Sequence, residues 1–77
     1  MDISQTEDRL YETLLPDAPQ IKVAMLLAMA FKDLDFPADE IINAALDRLA
    51  SRRDIETYGD IYRWRRSEIK RFSAVKA

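Results

Sequence analysis

The chain has 77 residues, a formal net charge of −2, and neither cysteine nor histidine. That length bounds a single small domain, residues 1–77, with a modest core and a tail expected to fray from about residue 73. The missing residue types exclude disulfide staples, thiolate or imidazole metal sites, and any Ser/His/Asp or Cys/His nucleophile arrangement.

In chain order, Ser4-Gln5-Thr6-Glu7 reads as a capping box, in which the serine side chain bonds the Glu7 N–H and the glutamate reaches back. The helix it opens is expected to run to about Leu14, because the residue before Pro16 is pushed out of the helical region. Asp17-Ala18-Pro19-Gln20 reads as a second start, with Asp17 as N-cap. A central helix is predicted from Gln20 to about Lys32. Its stripe is Ile21, Ala24, Met25, Leu27, Ala28 and Phe31, and Val23, Leu26, Met29 and Ala30 fill much of the rest. A helix apolar nearly all round is expected to be buried by partners on several sides, with its methionines filling core. Its longest apolar run, Val23–Phe31, is far short of the ~20 residues that span a bilayer.

The connector Asp33-Leu34-Asp35-Phe36 places Asp33 and Asp35 near Asp39 and Glu40. A calcium loop would need a mid-loop glycine, and here a proline opens a helix instead. The acids are therefore expected to be solvated, and no metal site is assigned. Pro37 suits a first helical position. Ala38, Ile41, Ile42, Ala45, Leu46 and Leu49 then make one apolar stripe of a helix reaching Arg52. Acids in its first turn and arginines near its end match the helix dipole.

Next, Ile55–Trp64 reads as a β-hairpin around Gly59-Asp60, Gly59 being the only glycine in the chain and tolerant of the positive φ such turns need. That turn pairs Tyr58 with Ile61, Thr57 with Tyr62, Glu56 with Arg63, and Ile55 with Trp64. Ser67 then caps a short helix through Phe72. A competing pattern also fits: Ile55, Tyr58, Ile61, Tyr62, Ile69 and Phe72 lie on the stripe of one continuous helix over 54–72, which would carry Gly59 inside it at roughly 1 kcal/mol. The fold expected is mainly α with a small β-hairpin, a three-helix base bearing a C-terminal two-stranded wing and a short helix.

The net charge conceals a split. Residues 1–47 hold ten acids and three bases, while residues 48–77 hold nine bases and four acids. Such polarity suits a nucleic-acid module with an acidic back, or a chain that associates head to tail. There is no glycine-rich phosphate loop, and the clustered carboxylates are explained by helix starts and solvent. No catalytic residue, cofactor or enzyme activity is assigned. The informative residues are Arg52, Arg53, Arg63, Arg65, Arg66, Lys70 and Arg71, which follow or bracket the hairpin. A guanidinium binds phosphate through a planar fork and can also enter a minor groove.

The segment ALDRLASRRDIETYGDIYRWRRSEI resembles the C-terminal half of winged helix-turn-helix domains, with Leu46, Leu49, Ile55, Gly59 and Tyr62 at the corresponding places. RWRRSEI is similar to the wing exit of excisionase-like DNA-binding proteins. The resemblance implies a reading helix over Pro37–Arg52 and a wing over Ile55–Trp64 that contacts phosphate or the minor groove. The expectation is therefore a small DNA-binding accessory or regulatory protein. The alternative is a protein–protein interaction domain, homodimeric or with another partner, that has no nucleic-acid role. The absence of a basic segment followed by an apolar run gives no sign of a signal peptide, and a cytoplasmic, non-membrane location is expected.

Overall fold

The computed structural model describes residues 1–73, with Ile61 and Tyr62 defined through their backbone. Residues 74–77, most of the tail expected to fray, lie outside the described residues. The order of elements is α1 (Ile3–Thr13), β1 (Ile21–Lys22), α2 (Val23–Ala30), α3 (Asp39–Ala50), β2 (Ile55–Tyr58), a 3-10 segment (Ile61–Arg66) and β3 (Glu68–Arg71). Three helices thus pack with a three-stranded antiparallel sheet of order β1-β3-β2.

Helix α1 begins earlier than its sequence signal. Asp2, not Ser4, is the N-cap, and its carboxylate accepts from the Gln5 N–H at 2.8 Å while Gln5 Oε1 accepts from the Asp2 N–H at 3.0 Å. Both Asp2 and Ser4 are good caps, and the glutamine three residues on completes the box for Asp2. The Thr6 hydroxyl, fully buried, donates to the Asp2 carbonyl at 2.8 Å. At the other end Leu14 closes the helix, as the proline two residues later requires.

The second start signal is overturned. Asp17 sits at φ 60°, in the left-handed region that aspartate tolerates better than most residues. Its N–H donates to the Arg71 carbonyl at 2.7 Å, and its carboxylate accepts from the Ser73 N–H at 3.1 Å. Gln20 bonds Glu68 at 3.2 Å instead of reaching back. Ile21 and Lys22 form an edge strand, so α2 is shorter than the apolar run that suggested it. It buries Val23, Leu26, Leu27 and Ala30 on one side only, leaving Met25, Ala28 and Met29 exposed. The expectation of burial on several sides is corrected. The hub is α1, against which both α2 and α3 make their main helical packing. Arg9 of α1 ties down the end of α2, its Nε donating to the Ala30 carbonyl at 2.5 Å, where a cation also suits the dipole.

Helix α3 keeps the centre of its stripe but is shorter than expected: exposed Ala38 is its N-cap, so Pro37 lies before the helix, and the helix ends at Ala50 and not Arg52. Ile42, Ala45, Leu46 and Leu49 are buried, and Asp39 and Glu40 occupy its first turn. With Leu10, Leu14, Leu26, Leu27 and Phe31 they form one core, closed on the sheet side by Ile55 and Ile69.

The two-residue hairpin and the short C-terminal helix are both corrected. Gly59 does take a positive φ, 91°, but the chain does not return directly. It passes through 3-10 turns, kinked at Arg63, and pairs only from Glu68 on: Ile55 with Arg71, Glu56 with Lys70, Thr57 with Ile69, and Tyr58 with Glu68. The reason is Ile69. As a strand residue it is fully buried and pairs with Thr57 on one side and Ile21 on the other. In the shorter hairpin the partner strand would be Ile61–Trp64, and β1 would lose its neighbour. The continuous helix over 54–72 is excluded by the same ladder.

The candidate site: a basic groove beside helix α3

The predicted phosphate contacts fall into two groups. Arg52 and Arg71 belong to an internal cluster around Tyr11. Arg52 donates to Glu7 at 2.9 Å and to Asp8 at 3.2 Å, and its guanidinium lies 4.0 Å from the centre of the Tyr11 ring. Arg71 approaches the same ring at 3.8 Å and donates to the Tyr11 and Leu14 carbonyls at 3.1 and 3.3 Å, with Asp54 3.8 Å from its Nε. Both guanidinium groups thus contact the one ring. The Tyr11 hydroxyl donates to Asp54.

Partial burial works against the Arg52 charge, but the Glu7 hydrogen bond and the charges of Glu7, Tyr11 and Asp8 outweigh it and raise the pKa above the ordinary value. These two cations fasten α1 to the C-terminal half. Arg48 joins them, 3.4 Å from Glu7. Part of the acidic and basic division of the sequence is thus neutralised within the fold.

The second group is Arg63, Arg65 and Arg66, all exposed. They extend from the 3-10 segment, and none forms an ion pair among the described residues. With Trp64 they line one wall of an open groove of about 560 Å³, and Asp39 and Asn43 of α3 line the other. Trp64 packs on the core while the Arg65 guanidinium lies 4.9 Å from its ring centre, a cation–π contact that orients the charge toward solvent. Ser67, fully buried, bonds the Trp64 carbonyl at 3.3 Å through both its N–H and its hydroxyl, which fixes the end of the segment.

Of the remaining predicted residues, Arg53 is exposed in the turn after α3 and does not line the groove. Lys70 is half-buried over Phe72, 5.0 Å from its ring centre. Sequence reasoning did not find Asp39 and Asn43 as part of the site. Their spacing of one helical turn on the exposed face of α3 was visible, but nothing told which loop faced them. Among the described residues no group of three or more acids is placed to hold a metal ion, and no helix is long and apolar enough to cross a membrane.

No protein-family model, curated protein or solved structure matches the chain. The groove and its charges are therefore what a functional reading rests on.

Proposed function

We propose that this chain is a winged-helix-like domain that binds nucleic acid through Arg63, Arg65 and Arg66, acting as an accessory or regulatory protein without catalysis of its own. The observation that carries the reading is that these three arginines are exposed, adjacent and without an acidic partner among the described residues, whereas Arg52 and Arg71 are held internally. The succession of α3, β2, a connection through the 3-10 segment and β3 supports the winged-helix comparison, the 59–67 connection taking the place of the wing.

The charges favour the loop over the helix as the part that makes contact. The exposed side of α3 carries Asp39, Glu40 and Asp47, which repel phosphate. Affinity then comes from the loop, with Asp39 on the far wall limiting how deeply a phosphate enters the groove. Phosphate contacts of this kind position a duplex without reading its sequence.

The test is binding of a random-sequence duplex, measured by fluorescence anisotropy at two salt concentrations. Wild type should bind with log K falling linearly in log salt. R65A/R66A should bind more weakly to every sequence, its slope shallower by nearly one unit per lost contact, with an unchanged melting midpoint. Absence of binding near physiological salt, or identical slopes for the two proteins, overturns the reading.

A further inference from the structure

The groove beside α3 has two unlike walls. Arg63, Arg65 and Arg66 line one with Trp64, and Asp39 and Asn43 line the other. Asp39 and Asn43 are exposed and stand one helical turn apart on α3, which places their β-carbons about 5–6 Å from each other. Among the described residues no ion pair joins Asp39 to the arginines, so opposite charges face each other across the groove without closing it. At about 560 Å³ the groove lies within the range, roughly 300–1,000 Å³, of clefts that hold one small ligand. A bare phosphate would use only the arginine wall. Both walls are used by a ligand that is anionic at one end and offers hydrogen-bond donors at the other.

We infer that the groove holds an unpaired guanine nucleotide of a single strand, its phosphates on the arginines and its base against Asp39 and Asn43. The inference rests on the reading that these arginines bind nucleic acid. A carboxylate only accepts hydrogen bonds, whereas a carboxamide both donates and accepts. Guanine is the common base with two donors side by side on its pairing edge, N1–H and the N2 amine, and these match the two oxygens of Asp39. Its O6, next along the same edge, accepts from the Asn43 amide. Adenine and cytosine offer one amine beside an acceptor nitrogen, and thymine and uracil one N–H between two carbonyls. In a duplex the pairing edge of guanine is taken by cytosine, so the groove selects the unpaired base. Trp64 is half-buried and packed on the core, with the Arg65 guanidinium 4.9 Å from its ring centre. Indole and guanidinium planes are the surfaces on which unpaired bases stack. An acidic peptide suits the groove less well, because its carboxylates would meet the like charge of Asp39.

The test is fluorescence anisotropy with short thymine strands that carry a central pair of guanines, adenines or hypoxanthines. A good bidentate contact to a base discriminates about tenfold, so the guanine strand should bind about tenfold tighter than the adenine strand. Hypoxanthine, which lacks the N2 amine, should fall between them. The strands are made as DNA and, with uracil for thymine, as RNA. The preference in either polymer supports the inference, and the tighter-binding polymer is the occupant. Annealing the guanine strand to its complement should abolish the preference. D39N keeps the shape and removes the charge. It should lose the preference and bind the all-thymine strand more tightly than wild type does, because no carboxylate then faces the phosphates. N43A should reduce the preference by a smaller factor, and both variants should melt close to wild type, their side chains being exposed. The chain has a single tryptophan, so its fluorescence should fall as the guanine strand fills the groove. Equal affinity for guanine and adenine strands, a preference that survives in D39N, or an unchanged Trp64 signal on binding overturns this inference and leaves the phosphate reading standing. Failure of wild type to bind any strand or duplex overturns both.

Discussion

Replacing Tyr11 by phenylalanine removes one hydroxyl and leaves the ring in contact with the Arg52 and Arg71 guanidinium groups. The lost bond is to Asp54, whose side chain is only 19% exposed, so water replaces the hydroxyl incompletely. A hydrogen bond to a charged group contributes about 1.5–3 kcal/mol. Asp54 keeps the Arg71 charge at 3.8 Å, which points to the lower end, about 1.5 kcal/mol. For a domain of this size 1 kcal/mol moves the melting midpoint by roughly 4–8 °C, so Tyr11→Phe should lower it by roughly 6–12 °C. Tyr11→Leu also removes both cation–π contacts, each about 0.5–1 kcal/mol at a partly exposed site, and should fall clearly further. Circular dichroism melts and urea titrations of the two variants measure this, with the urea slope unchanged if only stability has altered. If Tyr11→Phe melts like wild type, or the two variants melt together, Tyr11 is not the plate that joins α1 to the C-terminal strand. The outcome bears on function as well. If the cluster is structural, Arg52→Ala and Arg71→Ala lower stability, and any loss of duplex binding they cause tracks unfolding.

Leu27→Ala and Leu46→Ala, at core positions with almost no exposure, should each cost about 2–5 kcal/mol, read as a drop in urea midpoint far larger than that of Gln5→Ala. Gly59→Ala should cost on the order of 1–2 kcal/mol through its φ of 91° and not through a clash, since an added Cβ would meet nothing closer than 3.5 Å. A loss no greater than that of an exposed helical substitution would contradict this. The Asp17 carboxyl is held below the ordinary 3.8 by hydrogen bonds from Ser73, side chain first and then backbone. A carboxyl depressed in the folded state stabilises it above the unfolded value, and the effect disappears as pH falls through the folded-state pKa. Asp17→Asn, which keeps the tolerance for positive φ, should therefore melt lower than wild type near neutral pH and converge with it as pH falls below the folded-state pKa. A gap between the melting midpoints that persists in acid would refute the assignment.

The sequence was legible where one periodicity ruled a whole element. The stripe from Ile42 to Leu49 and the stop before Pro16 are local facts, and tertiary packing did not override them. It was less legible where two local signals competed for one residue set. Gly59-Asp60 marked a turn correctly, but nothing near it revealed that the returning strand starts at Glu68. That choice is made by Ile69 and by a β1 strand far upstream. The apolar run of α2 told how hydrophobic the helix is and not how many neighbours it finds. The candidate site was divided in the same way. The arginines of residues 63–66 stand exposed, as local charge suggested. Arg52 and Arg71 instead turn toward Glu7, Asp8 and Tyr11, which lie at the other end of the chain and left no local signal.

The position of β3 has a consequence for synthesis. Among the described residues the last strand is the middle one, and both β1 and β2 pair only with it. While the ribosome has released α1, α2 and α3 but not residues 68–71, the chain can form a helical cluster and no sheet. Ile21 and Ile55 then have no neighbouring strand, and their backbone groups are open to other chains, which is the exposure that invites aggregation. Closing the sheet joins segments far apart in sequence, a slow step by its loop entropy. A stop codon before Glu68 would accordingly leave no sheet at all, and shortened chains should collect in aggregates when they are made, even where every helix residue is present.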